Sequence, residues 1–180
     1  METSHPIFTI GHSTHPLEQF IDLLRAHGVT LVADVRTVPR SRHNPQFNRD
    51  TLPEALAAAG IGYRHLPGLG GLRRTSPDSR NTGWRNSSFR GFADYMQTAE
   101  FPAGLDELLS LAQQWRVAIM CAEAVPWRCH RSLIADALTA RGIGVEHILS
   151  AGASQVHRPT PFARIEGLSL TYPAADRQGE

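Results

Sequence analysis

The stretch "LLRAHGVTLVADV" (23–35) decides the fold. A helix-forming run from Leu23 to His27 meets Gly28, and an apolar, β-branched run from Val29 to Val35 follows at once. Glycine is the least strained residue in the left-handed conformation that closes a helix, so the stretch predicts helix, glycine cap and strand. The same order recurs around Gly60 in "ALAAAGIGYRHL" (55–66) and around Gly142 in "LTARGIGVEHIL" (138–149). Adding "PIFTIGHS" (6–13) and "VAIMCAE" (117–123) gives predicted strands near 6–12, 30–35, 61–65, 117–122 and 144–149. Predicted helices lie between them, near 16–27, 50–59, 91–98, 103–115 and 127–141. Such alternation specifies a single α/β domain: a mainly parallel sheet of about five strands with helices on both faces. The domain is expected to span 1–180, with a less regular tail at 151–180 in which "ARIEGLSLTYP" (163–173) offers one edge strand.

Composition fits that class. At 41% hydrophobic and 19% charged residues, the 180-residue chain reads as one soluble globular domain. It holds no apolar run long enough to span a membrane, and "METSHPIFTIGHS" lacks the basic and apolar regions of a secretory leader. A reducing cytoplasm is therefore the expected compartment, where the two cysteines would be thiols. All eighteen basic residues are arginine. Schiff-base chemistry on a lysine is thereby excluded, and every side-chain cation is a planar guanidinium suited to carboxylate or phosphate.

In a parallel α/β sheet the loops that follow strands gather along one edge, where ligands bind. Two long loops fall there, 36–49 and 66–90, and from Arg36 to Arg90 the chain carries ten arginines against three acids. An excess of seven positive charges points to an anionic ligand, a nucleotide or a nucleic acid, with Phe47, Trp84 and Phe89 interleaved as surfaces on which bases could stack. The bland alternative is a solvated, partly mobile basic loop. The glycines of "GLGG" (68–71) lack the spacing of a dinucleotide loop and read as a tight turn, and the identity of any cofactor stays unknown.

The same edge collects reactive side chains. The first strand delivers His12 and Ser13, the second Asp34 and Arg36 followed by Ser41 and Arg42, the third His65 followed by Gly70 and Gly71. The fourth leads into "MCAEAVPWRCHR" (120–131), with Cys121, Glu123, Cys129, His130 and Arg131. Cys121 should end a strand, and Pro126 should open a helix with Cys129 in its first turn. A thiol at a helix start beside arginines has a depressed pKa, which makes either sulfur a candidate nucleophile and Glu123 or His130 a candidate proton carrier. Cys129 and His130, adjacent on a helix, would point about 100° apart. The spacing does not fit the phosphatase pattern of Cys, five residues and Arg, nor the short cysteine spacing of a zinc knuckle. Asp34 reads equally as a structural partner of Arg36, His12 or His65.

These residues also carry a resemblance. "FTIGHSTHPLEQFIDLL", "VADVRTVPRSRHNPQFN", "YRHLPGLGG", "GFADYM" and "MCAEAVPWRCHRSLIADAL" are similar, in order and spacing over about 6–150, to blocks of the domain-of-unknown-function 488 family. The resemblance implies a compact α/β domain and no particular reaction. It places signature positions at Gly11, His12, Ser13, Asp34, Arg36, Pro39, Ser41, Phe47, His65, Gly70, Gly71, Cys121, Glu123, Pro126, Cys129, His130 and Arg131, and the arginine-rich insert at 73–90 departs from it.

Three functional classes stay open. The first is a cysteine-dependent enzyme with Cys121 or Cys129 as thiol, Glu123, His130 and His12 handling protons or hydrogen bonds, and a phosphate-bearing ligand held by Ser13, Asp34, Arg36, Ser41, Arg42, His65, Gly70, Gly71 and Arg131. The second is a nucleic-acid-binding module with structural cysteines. The third is a metal site of both cysteines and a histidine from His12, His43 or His65. Reaction and oligomeric state are not legible.

Overall fold

In the computed structural model, which describes residues 3–175, the three glycine junctions close helices as their sequence requires. The backbone φ is +70° at Gly28, +77° at Gly60 and +79° at Gly142. Each junction feeds a parallel strand, so the chain builds β1 (Ile7–Gly11), α1 (Leu17–Ala26), β2 (Leu31–Asp34), α2 (Leu52–Ala58) and β3 (Gly62–His65) in succession. Then follow α3 (Ser87–Tyr95), α4 (Glu100–Gln114), β4 (Val117–Cys121), α5 (Arg131–Ala140), β5 (Val145–Ser150) and β6 (Ala153–Val156). A separate hairpin, β7 (Arg164–Glu166) and β8 (Ser169–Thr171), completes the described chain.

The main sheet has the order β3-β2-β4-β1-β5-β6. All its pairings are parallel except β5 with β6, which is antiparallel. β1, β2 and β4 are buried at every position, as expected of central strands covered on both faces. Phe20 and Leu24 of α1 pack with Leu52 and Leu56 of α2 on one face. Phe92 of α3, Leu105 and Leu108 of α4 and Leu133 of α5 form the core on the other. The helix after β1 and the helix after β4 thus cover opposite faces, although the two strands are neighbours with Gly11 beside Cys121. Their connections diverge and leave a crevice above the strand ends, the topological position where this class of sheet binds ligands.

The tail departs from expectation. The edge strand is β6, and "ARIEGLSLTYP" pairs with itself as β7–β8 instead of joining the main sheet. Far from being peripheral, it sends Leu170 and the fully buried Tyr172 into the core. Tyr172 donates its hydroxyl to Asp136 at 2.7 Å, and the same carboxylate accepts His157 Nε2–H at 2.7 Å, Thr160 Oγ1–H at 2.7 Å and the Thr160 backbone N–H at 3.0 Å. His157 in turn contacts His147 at 2.8 Å, and His147 Nδ1 meets the Thr9 hydroxyl within β1. A buried polar chain therefore ties helix α5, the tail and the central sheet together.

Removing a shared acceptor strands every donor it serves. Asp136→Ala should cost about 3–5 kcal/mol in urea unfolding, because several donors, each costing about 1–3 kcal/mol when left buried and unsatisfied, lose their acceptor together. Tyr172→Phe, which removes one donor and leaves the ring, should cost about 1 kcal/mol.

Candidate functional site

The crevice is shaped first by what β1 does not carry. A Cβ on Gly11 would lie 1.7 Å from the carbonyl oxygen of Glu123 and 2.9 Å from Nη1 of Arg131, so only glycine lets the chain after β4 fold over the end of β1. Backbone bonds from His12 N–H to Cys121 O and from Ser13 N–H to Ala122 O, both 2.9 Å, extend the pairing past the strand ends. Ser13 then turns the chain with φ of 48°.

Both cysteines line a cavity of about 400 Å³ at this crevice, together with Arg36, Thr37, Val38, Arg40, Gly71, Leu72, Ser88, Phe89, Ala122, Glu123, Arg128 and His130. Three arginines thus face one carboxylate. The sulfurs are nearly enclosed, Cys121 2% and Cys129 5% exposed, and each perturbs the titration of the other. Cys129 is not in a helix. A 3-10 turn at Pro126–Arg128 ends in an extended Cys129 (φ −136°, ψ 147°), and α5 begins only after His130. The extended residue brings Cys129 Sγ to 3.5 Å from His130 Nδ1, so the two adjacent side chains meet where a continuous helix would have separated them.

Beneath the sulfurs lies the guanidinium of Arg131, 1% exposed. Nη2 donates to Ala124 O at 3.0 Å, while Nε and Nη1 are buried without a hydrogen-bond partner among the described residues. No carboxylate of those residues pairs with it. A guanidinium stays protonated at any ordinary pH, so a full positive charge is enclosed beside the thiols. Burial pushes the Cys121 thiol up, but the hydrogen bond from Cys129, the charge of Arg131 and a backbone bond at Glu123 outweigh it and bring the pKa below the ordinary value. Burial and the neighbouring Cys121 push Cys129 up. In the thiol form Cys121 reaches Glu123 O at 3.7 Å.

His130 is fixed as a neutral ring. Its Nε2 lies 2.9 Å from Val35 O and 3.0 Å from Leu69 O, so that nitrogen carries the proton and Nδ1 presents a lone pair to Cys129. Burial lowers its pKa to about 4. Gly71 permits this seating, because a Cβ there would stand 2.6 Å from Nδ1, and Gly70 passes Thr37 as closely. Gly70 and Gly71 are thus required by close packing, and none of the glycines of the "GLGG" segment has the positive φ that a turn would demand.

Arg36 is largely committed to the scaffold. Its guanidinium donates to buried Asp34 at 2.9 and 2.8 Å, to Phe47 O at 2.7 Å and to His12 Nε2 at 3.3 Å. Tyr63 adds a hydroxyl donor to the same carboxylate. His12 donates Nδ1–H to Ser13 O at 2.9 Å and stacks on Phe47, and burial lowers its pKa. His65 donates to Arg36 O at 2.7 Å, completing a buttress under the cavity.

Of the residues expected at the site, Arg36, Gly71, Cys121, Glu123, Cys129 and His130 share the cavity wall. Arg131, His12, Asp34, His65 and Gly70 support it from behind. Ser41 instead holds its own loop, accepting Asn44 N–H at 3.0 Å, and exposed Arg42 lies off the cavity lining. Phe47 is fully buried, so it offers no face to a base. The insert at 73–90 is tied down: Asp94 accepts from Ser76, Ser79 and Asn81, and Arg73 lies 3.7 Å over the Tyr95 ring. Among the described residues no group of three or more His, Cys, Asp or Glu side chains could hold a metal ion. Arg40 and Arg128, which the sequence places after β2 and beside the thiols, also line the cavity, whereas Ser88, in the first turn of α3, carries no signal in the sequence.

The pKa of His147 falls to about 3, chiefly through burial. Histidines depressed from 6.5 remain neutral in the fold while the unfolded chain takes up protons. The stability they contribute is complete above pH 6.5 and declines as pH falls toward 4. The urea midpoint should therefore be lower at about pH 5 than at neutrality, with proton uptake on unfolding in that window.

Comparison with known proteins adds the following. A DUF442 protein from Shewanella putrefaciens CN-32, whose given description proposes a phosphatase, aligns with 16% identity over 78% of this chain and 68% of that one, with a TM-score of 0.41. No curated protein matches the sequence. The family model described as "Domain of unknown function DUF488" matches residues 16–138, more than half of the chain. This protein belongs to the DUF488 family.

Proposed function

We propose that the protein is a cysteine-dependent enzyme in which Cys121 is the nucleophile, acting on a phosphate-bearing ligand, a nucleotide or nucleic acid. One observation carries this reading: a buried Arg131 without a carboxylate partner among the described residues, set beside two enclosed thiols that line one cavity wall. A cation in that position favours the thiolate, the reactive form of cysteine. Cys129 stays a thiol beside it, held at 3.5 Å from the Nδ1 lone pair of neutral His130. Exposed Arg40 and Arg128 at the rim supply charge for the ligand's phosphate, with Glu123 beside them. The exposed arginines also support a second reading, a nucleic-acid-binding module without catalysis, which differs in predicting unreactive thiols and binding that weakens steeply with salt.

Alkylation by iodoacetamide, followed by mass spectrometry across pH, tests the thiol. Cys121 should react as a thiolate with an apparent pKa below about 8.5, the ordinary thiol value. Arg131→Met should raise that value by about 1–3 units. Cys129→Ser should leave Cys121 reactive, whereas Cys121→Ser should abolish the fast phase. Ordinary pKa values at both sulfurs, indifferent to Arg131, would remove the enzyme reading.

A further inference from the structure

A second cavity of about 400 Å³ adjoins the first and has no role in the thiol chemistry. Trp84, Trp127, Phe162 and Pro126 line it, with Gln155 and Arg158 at polar positions. Trp84 and Phe162 meet edge to face with centroids 4.8 Å apart, and Trp84 also contacts Tyr172. Asp136 pins His157 and Thr160, so the wall formed by the segment after β6 is built in advance. Trp127 is 64% exposed, and among the described residues no ring contact is recorded for it. A large exposed indole beside a preformed aromatic cavity marks a binding surface more readily than a packing role.

The two cavities share a wall. Trp127 and Arg128 are consecutive in the 3-10 turn, where successive side chains diverge by about 120°. Trp127 faces the aromatic cavity and Arg128 the one holding the thiols. On the far side Trp84 borders the first and Phe89 the second, their centroids 5.0 Å apart. One short turn therefore offers an aromatic plane on one side and a guanidinium on the other. That pairing matches a planar heteroaromatic group joined to a phosphate.

We propose that the aromatic cavity is a nucleobase subsite: a nucleotide unit, free or within a single strand, lays its base on Trp127 between the walls of this cavity and extends its phosphate across the turn to Arg128. The assignment rests on the phosphate-ligand reading above and adds what lies beyond the phosphate. Gln155, able to donate and to accept, is placed to meet the base edge.

Isothermal titration of the full chain with AMP, adenosine, ribose 5-phosphate and a short oligothymidylate tests it, in the parent and in Trp127→Ala, Trp127→Phe and Arg128→Gln. AMP or the oligonucleotide should bind, and ribose 5-phosphate should bind at least about tenfold more weakly, in keeping with the worth of one base stacked on an aromatic ring. Trp127→Ala should weaken binding by about tenfold or more, Trp127→Phe should restore most of it, and Arg128→Gln should weaken binding and flatten its salt dependence. AMP equal to the oligonucleotide identifies a free nucleotide as the ligand, and binding of the oligonucleotide alone identifies a strand. Ribose 5-phosphate binding as tightly as AMP, or Trp127→Ala binding like the parent, would overturn the base subsite while leaving the phosphate reading intact. Failure of all four ligands to bind would overturn both ligand assignments, whereas the Cys121 alkylation profile would still report on the thiol independently.

Discussion

The site depends on one electrostatic debt, the charge of Arg131 enclosed beneath the end of β1 with a single carbonyl as hydrogen-bond partner among the described residues. Burying a guanidinium costs several kcal/mol unless its surroundings answer the charge. The nearby features all accommodate it. Gly11 leaves room beside Nη1, the turn at Ala122–Ala124 brings a carbonyl over the strand end, and the two sulfurs lie within its field. A carboxylate placed there would have settled the charge permanently. With no carboxylate there, the charge instead lowers the pKa of the Cys121 thiol, an effect that exists only while the fold holds the two groups together.

Much of this was readable from sequence, for reasons that differ by element. The glycine junctions were legible because a left-handed closing residue and the strand after it are local properties. The start of α3 was missed: the reading began it at 91, whereas Asn86 caps it by accepting from Ser88 and Phe89 N–H groups. Gly91, a natural boundary in sequence, sits inside the helix because a Cβ would strike Arg73 O at 2.1 Å. The break at Cys129 was also hidden, since a proline at 126 suits a helix start and a 3-10 turn equally.

Long-range polar connections escaped entirely. Thr9, Asp136, His147, His157 and Tyr172 look unrelated in sequence, yet they form one buried chain. Nothing in local periodicity encodes a hydrogen bond between residues 138 positions apart. The arginine excess did not give the membership of the cavity wall, because Arg36 and Arg73 commit their guanidinium groups to the scaffold. Separating structural from ligand-facing cations needs burial, which charge counting lacks.

The placement of β1 has a kinetic side. It lies between β4 and β5, so the strand that precedes all the others of this domain in the chain finds its partners only after residues 117 and 145 have been synthesised. Until then Ile7, Phe8 and Ile10 have no sheet to enter, and α1, β2, α2 and β3 can organise only a half without its central partner strand. Such distant pairing slows folding and leaves an apolar strand open to wrong partners meanwhile. Within this domain the earliest strand in the chain is thus among the last to be enclosed. The thiol pocket comes into being only when that enclosure is complete.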